Sequence, residues 1–264
     1  MSSDKDRVCP LCGGLGFIIT DKGAKRCKCL YEGFNIARFL NIPKRFWDAK
    51  LGDLRNTLSR DAVAAIRFYL KNFEDFYKKG VGLMLVGPTG VGKTYAISAI
   101  LKYIYEKYKV KGYFADTKEL SIKLREAFAV GNHAQFIDTL TKYPILVLDD
   151  LGNEVLSDWF REILVGLISR RYNDKRLTFV TTNYYPGYLL SGKTVAVEDE
   201  LKKLGMVIKR VPFKDKDKTA KGVSWDEDLL LEKRLGAHLV SRLAEMTYPV
   251  IVEGLDKRVK KVAK

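Results

Sequence analysis

One stretch decides the fold of this chain: Leu83-Met84-Leu85-Val86-Gly87-Pro88-Thr89-Gly90-Val91-Gly92-Lys93-Thr94. It starts as an apolar run and continues as G-x-x-x-x-G-K-T, the pattern of a phosphate-binding loop, and a helix-like segment begins at Thr94. Such a loop joins a buried strand to a helix, because free backbone N–H groups at the helix N-terminus bind phosphate oxygens. The stretch therefore predicts a P-loop nucleotide site in an α/β fold.

The loop also predicts how ATP is held. We expect the backbone amides of Gly90, Gly92 and Lys93 to surround the β-phosphate, with the positive end of the helix dipole behind them. The Lys93 ammonium then reaches the β- and γ-phosphates, and the Thr94 hydroxyl is a ligand for Mg²⁺. The residues expected to contact ATP and its Mg²⁺ are Gly87, Pro88, Thr89, Gly90, Val91, Gly92, Lys93, Thr94 and Asp149.

Two later apolar runs end in polar side chains that complete such a site. The first, residues 145–148, leads into Asp149, which is expected to hold Mg²⁺ through water, and then into Asp150. We expect Asp150 to orient and deprotonate the attacking water, although it is also a candidate for simply capping the following loop. The second run, residues 177–182, leads into Asn183. We interpret Asn183 as a sensor of the γ-phosphate, whereas an asparagine at a strand end is also typical of a turn.

The order of the remaining segments predicts the architecture. The expected elements are helices near 60–79, 118–130 and 157–173 and strands near 112–116, 145–150, 177–183 and 249–252. Alternation of this kind predicts a parallel sheet with helices on both faces and the ligand at the carboxyl ends of the strands. We expect no separate helical lid after the last strand.

The cysteines form a second motif near the start of the chain. All four lie within the first 29 residues, as a C-x2-C pair and a C-x-C pair: Cys9, Cys12, Cys27 and Cys29. Four thiolates in two close pairs can enclose a tetrahedral Zn²⁺ in a structural site. An iron–sulfur cluster and unligated reduced cysteines are the alternatives. We expect a zinc-binding module with a connecting helix at 1–40 and an ATPase domain at 41–264.

Composition narrows the class of partner. The chain has 264 residues with 47 Lys and Arg against 32 Asp and Glu, a formal net charge of +15, and 47% hydrophobic residues. That apolar content excludes a disordered or fibrous chain, and the positive charge favours a polyanion such as DNA, although a solvated basic surface is the alternative. No run approaches the roughly 20 apolar residues that span a bilayer. We therefore expect no membrane partner and a cytoplasmic location.

Five motifs share one family pattern: Ile42-Pro43-Lys44-Arg45-Phe46, Gly87 to Thr94, Leu148-Asp149-Asp150-Leu151-Gly152, Thr181-Thr182-Asn183 and Val240-Ser241-Arg242-Leu243. Taken together, these motifs resemble the AAA+ ATPases of the helicase-loader family, the DnaC/DnaI type, which is related to the IstB transposition ATPases. The resemblance implies that Arg242 is an arginine finger that acts on ATP held by a neighbouring subunit. Arg170 and Arg171 are further candidates for subunit contacts, and Arg258 for a contact with nucleotide. The resemblance covers about residues 42 to 258.

The same resemblance implies a function. It indicates an ATP-dependent loader of the replicative DNA helicase that binds the helicase through the zinc module, binds single-stranded DNA and assembles into an ATP-dependent oligomer. Two alternatives stay open. One is a transposition ATPase that acts on double-stranded DNA with a transposase, and the other is a nucleotide-gated adaptor with negligible hydrolysis.

The long segment from 184 to about 232 is interpreted as an inserted, solvated hairpin or loop.

Overall fold

The computed structural model describes residues 9, 11–12, 17–20, 23–27, 35–153, 157–190, 227–254 and 256–257. Near the start, β1 (Phe17–Thr20) and β2 (Gly23–Arg26) form an antiparallel hairpin. None of the helices within these ranges combines the length and the apolar character that crossing a bilayer requires. The remaining elements build the α/β part of the chain.

The central sheet has five parallel strands in the order β4-β5-β6-β3-β7. All residues of β3, β5, β6 and β7 are buried, which means that side chains pointing to either face of the sheet are covered. This observation confirms the predicted fold class, a parallel sheet between helical layers. The strands are β3 (Gly82–Val86), β4 (Gly112–Asp116), β5 (Ile145–Asp149), β6 (Leu177–Thr182) and β7 (Thr247–Ile251).

Helices cover this sheet on both sides. The described helices are α1 (Ile36–Phe39), α2 (Leu54–Thr57), α3 (Arg60–Lys71), α4 (Phe73–Lys79), α5 (Lys93–Tyr108), α6 (Thr117–Ala129), α7 (His133–Lys142), α8 (Asp158–Asn173), α9 (Gly187–Leu190), α10 (Leu231–Leu235) and α11 (Ala237–Met246). Helix α5 follows the phosphate loop and packs on β3, β4 and β6, while α8 packs on β6 and α11 packs on α8 and β7.

Two helices differ from the sequence-based expectation. The single helix expected near 60–79 is divided at Asn72, whose side-chain amide donates to the Phe68 carbonyl at 2.9 Å and competes with the regular helical pattern. Its expected apolar face is nevertheless buried in both halves. Helix α7 was not predicted, although Phe136, Ile137 and Leu140 stand at helical spacing along it.

The hydrophobic core begins before the boundary expected at residue 41. Ala37 and Leu40 are buried in the same core as the sheet. The Phe114 N–H donates to the Leu40 carbonyl at 2.9 Å, and the Asn41 amide donates to the Phe114 carbonyl at 2.7 Å. These bonds fasten the chain after α1 to strand β4.

The segment expected to be a solvated insertion has ends that belong to the core. Leu189 and Leu231 are fully buried. The Tyr185 N–H donates to the Leu229 carbonyl at 2.8 Å, and the Leu231 N–H donates to the Tyr185 carbonyl at 3.0 Å. The interpretation as a solvated loop is therefore wrong for these ends, and residues 191–226 lie outside the described residues.

Arg171, one of the two further candidates for subunit contacts, is instead a structural residue of the core. Its side chain is fully buried, and its guanidinium donates to four backbone carbonyls and one hydroxyl. Burial lowers the pKa of Arg171 to about 9, so the group remains charged at neutral pH. Arg170, one position earlier, is exposed. The acceptors of Arg171 are the carbonyls of Leu140, Thr141, Tyr143 and Leu177 and the hydroxyl of Thr178.

We expect Arg171→Met to lower the free energy of unfolding by about 3 kcal/mol, because several buried carbonyls lose their donor. Arg170→Met is the matched control and should change stability by less than about 0.5 kcal/mol. Urea unfolding of both variants measures the difference. Equal midpoints for the two variants would contradict the role of Arg171.

Candidate nucleotide-binding site

The phosphate loop is enclosed by chain segments that leave no room for side chains at two of its glycines. A Cβ atom on Gly87 would lie 2.1 Å from the Val252 carbonyl oxygen, just after β7. Gly92 has a φ of +103°, and a Cβ atom there would lie 2.7 Å from the Thr57 methyl group. At Gly87 the lack of space excludes any side chain. At Gly92 both the lack of space and the positive φ require glycine. The loop therefore has the tight course that lets backbone N–H groups face a phosphate.

Lys93 lies at the centre of the site. Its side chain is buried, and its Nζ donates to the carbonyls of Gly87 at 2.7 Å and Pro88 at 2.8 Å. It also donates to Asn183 Oδ1 at 2.6 Å. Because Asn183 follows β6 and Lys93 follows the loop after β3, these neighbouring strands bring the two side chains together, as the sequence predicts.

Asp149, at the end of β5, is 4% exposed. Burial raises the pKa of its carboxyl to about 6, while hydrogen bonds from the hydroxyls of Thr181 and Thr94 act in the opposite direction. The Thr181 hydroxyl donates to Asp149 Oδ1 at 2.6 Å. The hydroxyl of Thr94 and the carboxylate of Asp149 are thus neighbours, and hydroxyl and carboxylate oxygens are the donors that suit Mg²⁺.

Asp150 lies beside Asp149 in a more open environment. Its backbone has a φ of +60°, and its side chain is 31% exposed. The Asn183 amide donates to Asp150 Oδ1 at 3.2 Å, so Asn183 connects Lys93 to Asp150. The Asn153 amide donates to both carboxylate oxygens, at 2.8 and 2.9 Å, and Lys118 Nζ lies 3.8 Å from Oδ2. The carboxylate therefore faces the site formed by Lys93 and Asn183.

Arg242 is not part of this cluster within its own chain. It lies on α11, is half-buried, and its Nη1 is buried with no hydrogen-bond acceptor among the described residues. Past β7, the Lys257 N–H donates to the Gly90 carbonyl at 3.2 Å, so the chain returns to the phosphate loop. The expected nucleotide contact of Arg258 lies outside the described residues.

Three of the four predicted zinc ligands converge at a separate place. The Sγ atoms of Cys9, Cys12 and Cys27 all lie within 4.8 Å of one another, and the three side chains are buried. Three thiols at this separation suit one tetrahedral Zn²⁺. Cys29, the fourth expected ligand, lies outside the described residues.

The sequence analysis assigned no role to two residues of the site, Thr181 and Asn153. The hydroxyl of Thr181 donates to Asp149 and also accepts the Asp150 N–H at 2.9 Å. In the sequence Thr181 is one more residue of a buried strand. Asn153 lies in the loop after β5 and carries no periodic or motif signal, so only the fold shows that it binds the Asp150 carboxylate.

A model of the IstB-like ATP binding protein family matches residues 38–187, more than half of this chain. The chain belongs to this family. The matched region includes the phosphate loop, Asp149, Asp150 and Asn183, and ends before Arg242. The predicted resemblance is thereby confirmed.

Members of the family and related proteins come from two biological settings. The replicative helicase loader DnaI of Bacillus subtilis (strain 168) is 29% identical over 122 residues, 46% of this chain and 39% of DnaI. The insertion sequence IS232 ATP-binding protein of Bacillus thuringiensis subsp. berliner is 29% identical over 108 residues, 41% of this chain and 42% of that protein. Both matches therefore span about two fifths of these relatives' own length.

The crystal structure of a DnaC helicase loader is similar over a longer region. It is 34% identical to this chain, with a TM-score of 0.58, and the match covers 80% of this chain and 100% of the DnaC chain. The α/β core and its P-loop are thus shared with a helicase loader as well as with insertion-sequence proteins.

We expect Asp149→Asn to weaken ATP binding roughly tenfold in the presence of Mg²⁺, because a neutral amide binds the cation less well than a carboxylate. In EDTA the variant and the wild type should bind ATP equally. Asp158→Asn, an exposed carboxylate at the start of α8, is the control. A fluorescent ATP analogue measures all three affinities, and an unchanged Mg²⁺ dependence would remove Asp149 from this role.

Proposed function

We propose that this protein hydrolyses ATP at subunit interfaces and uses the cycle to load a replicative DNA helicase. The observation that supports hydrolysis most directly is the continuous contact from Lys93 through Asn183 to Asp150, beside the buried pair Thr94 and Asp149. These groups combine phosphate binding, a metal site and a carboxylate base at one edge of the sheet. A nucleotide-gated adaptor would not need the base.

In the proposed reaction the phosphates lie at the N-terminus of α5. Lys93 then exchanges its loop carbonyls for phosphate oxygens. Thr94 and Asp149 would hold Mg²⁺, which would neutralise negative charge on the phosphates. Asn183 keeps its contact with Asp150 and orients the attacking water. Asp150 accepts the proton of that water as it attacks the γ-phosphorus. The bond from the γ-phosphorus to the β–γ bridging oxygen breaks, and ADP and phosphate leave.

The missing positive charge is assigned to Arg242 of a neighbouring subunit. Among the residues that the structure describes, the buried Nη1 of Arg242 has no acceptor, and such a donor gains energy when a partner supplies one. A guanidinium at the γ-phosphate stabilises the charge that develops during transfer. Hydrolysis would then depend on assembly into an oligomer.

We expect Asp150→Asn and Arg242→Ala each to abolish hydrolysis while leaving ATP affinity within about twofold, since neither residue holds the ground-state phosphates. Mixing the two inactive variants should restore activity, because interfaces form in which one subunit supplies Asp150 and the other supplies Arg242. ATP turnover at increasing protein concentration measures both effects. A mixture that stays inactive, or an active Arg242→Ala protein, would contradict hydrolysis in trans.

The partner is proposed from the N-terminal module. We assign residues 1–40 to a zinc-binding module that docks the helicase, and 41–264 to the ATPase domain. The hairpin beside the cysteines carries Phe17 and Ile19 at 46% and 85% exposure, and Leu11 is 59% exposed. Apolar side chains on so small a module are typical of a protein interface. The DnaC match over the whole of that chain favours a loader. We further propose that the loader acts in the cytoplasm on single-stranded DNA.

Transposition is the second candidate function. It is favoured by the family model and by the similarity to insertion-sequence ATP-binding proteins. The two functions differ in the protein captured and in the DNA bound. The loader requires a helicase and single-stranded DNA, whereas the alternative requires a transposase and double-stranded DNA.

We expect Ile19→Asp in the full-length protein to weaken capture of the purified replicative helicase from the same cell at least tenfold, since a buried apolar contact becomes a charge. ATP affinity should stay unchanged. Ile122→Asp, at another exposed isoleucine, on α6, is the control and should bind normally. Helicase binding that is unchanged in both variants would contradict the docking role. Capture of a transposase by the wild type would favour transposition.

A further inference from the structure

The carboxylate of Asp150 is held by one side chain that the reaction outlined above does not use. Asn153 Nδ2 donates to both oxygens of Asp150, at 2.8 and 2.9 Å. Its backbone N–H also donates to the Asp150 carbonyl at 3.2 Å. Two bonds from one amide to both oxygens fix the rotation of the carboxylate plane. Asn183 contacts only Oδ1, so it fixes one end of that plane.

The amide of Asn153 is itself oriented by Tyr184. The Tyr184 hydroxyl donates to Asn153 Oδ1 at 3.2 Å. An asparagine can present either its oxygen or its nitrogen to a neighbour, and the wrong choice would place an acceptor against the Asp150 carboxylate. By occupying the amide oxygen, the hydroxyl leaves the NH₂ group facing Asp150.

Tyr184 is in turn fixed by Arg234 on α10. The guanidinium lies 5.1 Å from the centre of the Tyr184 ring, and its Nε donates to the Gly152 carbonyl at 2.9 Å. Gly152 has a φ of +93°, and a Cβ atom on it would lie 3.0 Å from the Tyr184 ring. Arg234 thus holds both the ring and the loop that carries Asn153.

We propose that Asn153, Tyr184 and Arg234 form a positioning chain that sets the Asp150 carboxylate for hydrolysis and connects it to helices α10 and α11. The inference rests on the proposed role of Asp150 as the base. The three residues act through Asp150 and touch neither the phosphates nor the attacking water. They fix the position of the Asp150 carboxylate. This position matters because a small misplacement of a base lowers the rate by up to about a hundredfold.

The chain leads to the helix that carries Arg242. Helix α10 is separated from α11 by Gly236 alone, and the two helices pack against each other. Arg242 docks on a neighbouring subunit in the proposed assembly. In the proposed assembly, a movement of α11 is therefore transmitted through α10 and Arg234 to Asp150 of the same subunit.

The test uses the full-length protein with single-stranded DNA, at a concentration where the wild type turns over ATP. We expect Asn153→Ala to lower kcat about tenfold with KM and ATP affinity unchanged within twofold. Asn153→Asp has the same shape but repels Asp150, and it should lose more than the alanine variant. Tyr184→Phe keeps the ring and removes the hydroxyl, and it should lower kcat by a smaller factor. Tyr108→Phe, far along α5, is the matched control and should keep the wild-type rate.

A double variant separates positioning from a general loss of structure. If Tyr184 acts only through Asn153, adding Tyr184→Phe to Asn153→Ala should lower kcat no further. Wild-type or raised kcat in Asn153→Ala, a parallel rise in KM, or fully additive losses would each overturn the proposal. An active Asp150→Asn protein would instead refute the base itself, whereas an inactive one with a normal Asn153→Ala protein would refute only the positioning chain.

Discussion

A buried ammonium group must be surrounded by oxygen atoms, and Lys93 imposes this requirement on the whole site. Three of its oxygen partners come from the loop after β3 and from Asn183 after β6, so the two strands must be neighbours. An unpaired charge in this environment would cost several kcal/mol. Strand β5 lies on the other side of β6 and adds the two acids. The strand order therefore determines which side chains meet at the site.

The core of this arrangement is predictable because a parallel sheet puts the carboxyl ends of its strands at one edge. The apolar runs before Gly87, Asp149 and Asn183 identify three buried strands, and the polar residues that follow them must meet. Loops and helix faces are harder to predict. Asn153 has no periodic signal. Arg170 and Arg171 look equivalent in the sequence, but a rotation of about 100° per helical residue turns one outward and the other into the core.

The two adjacent acids show how environment separates identical side chains. Asp149 continues the buried strand and is almost inaccessible, so its carboxylate depends on the hydroxyls of Thr94 and Thr181. Asp150 turns out of the strand with a φ of +60° and is partly open to solvent. A buried acid close to hydroxyls suits a fixed cation, whereas an accessible acid held by amides suits a water that must arrive and leave. The change of backbone conformation between the two residues produces this division.

The contact of Lys257 with the phosphate loop links distant parts of the chain. Its N–H binds the Gly90 carbonyl, and its Nζ binds the carbonyls of Asn56 and Thr57, residues 201 and 200 positions away in the sequence. Contacts of such separation cost conformational entropy, because a long stretch of chain must be closed to form them. The phosphate loop therefore has all of these contacts only when the segments near residues 57 and 257 have both packed against it. A bound nucleotide then stabilises this long-range closure, so that ligand affinity and the folding of the entire core become one linked equilibrium.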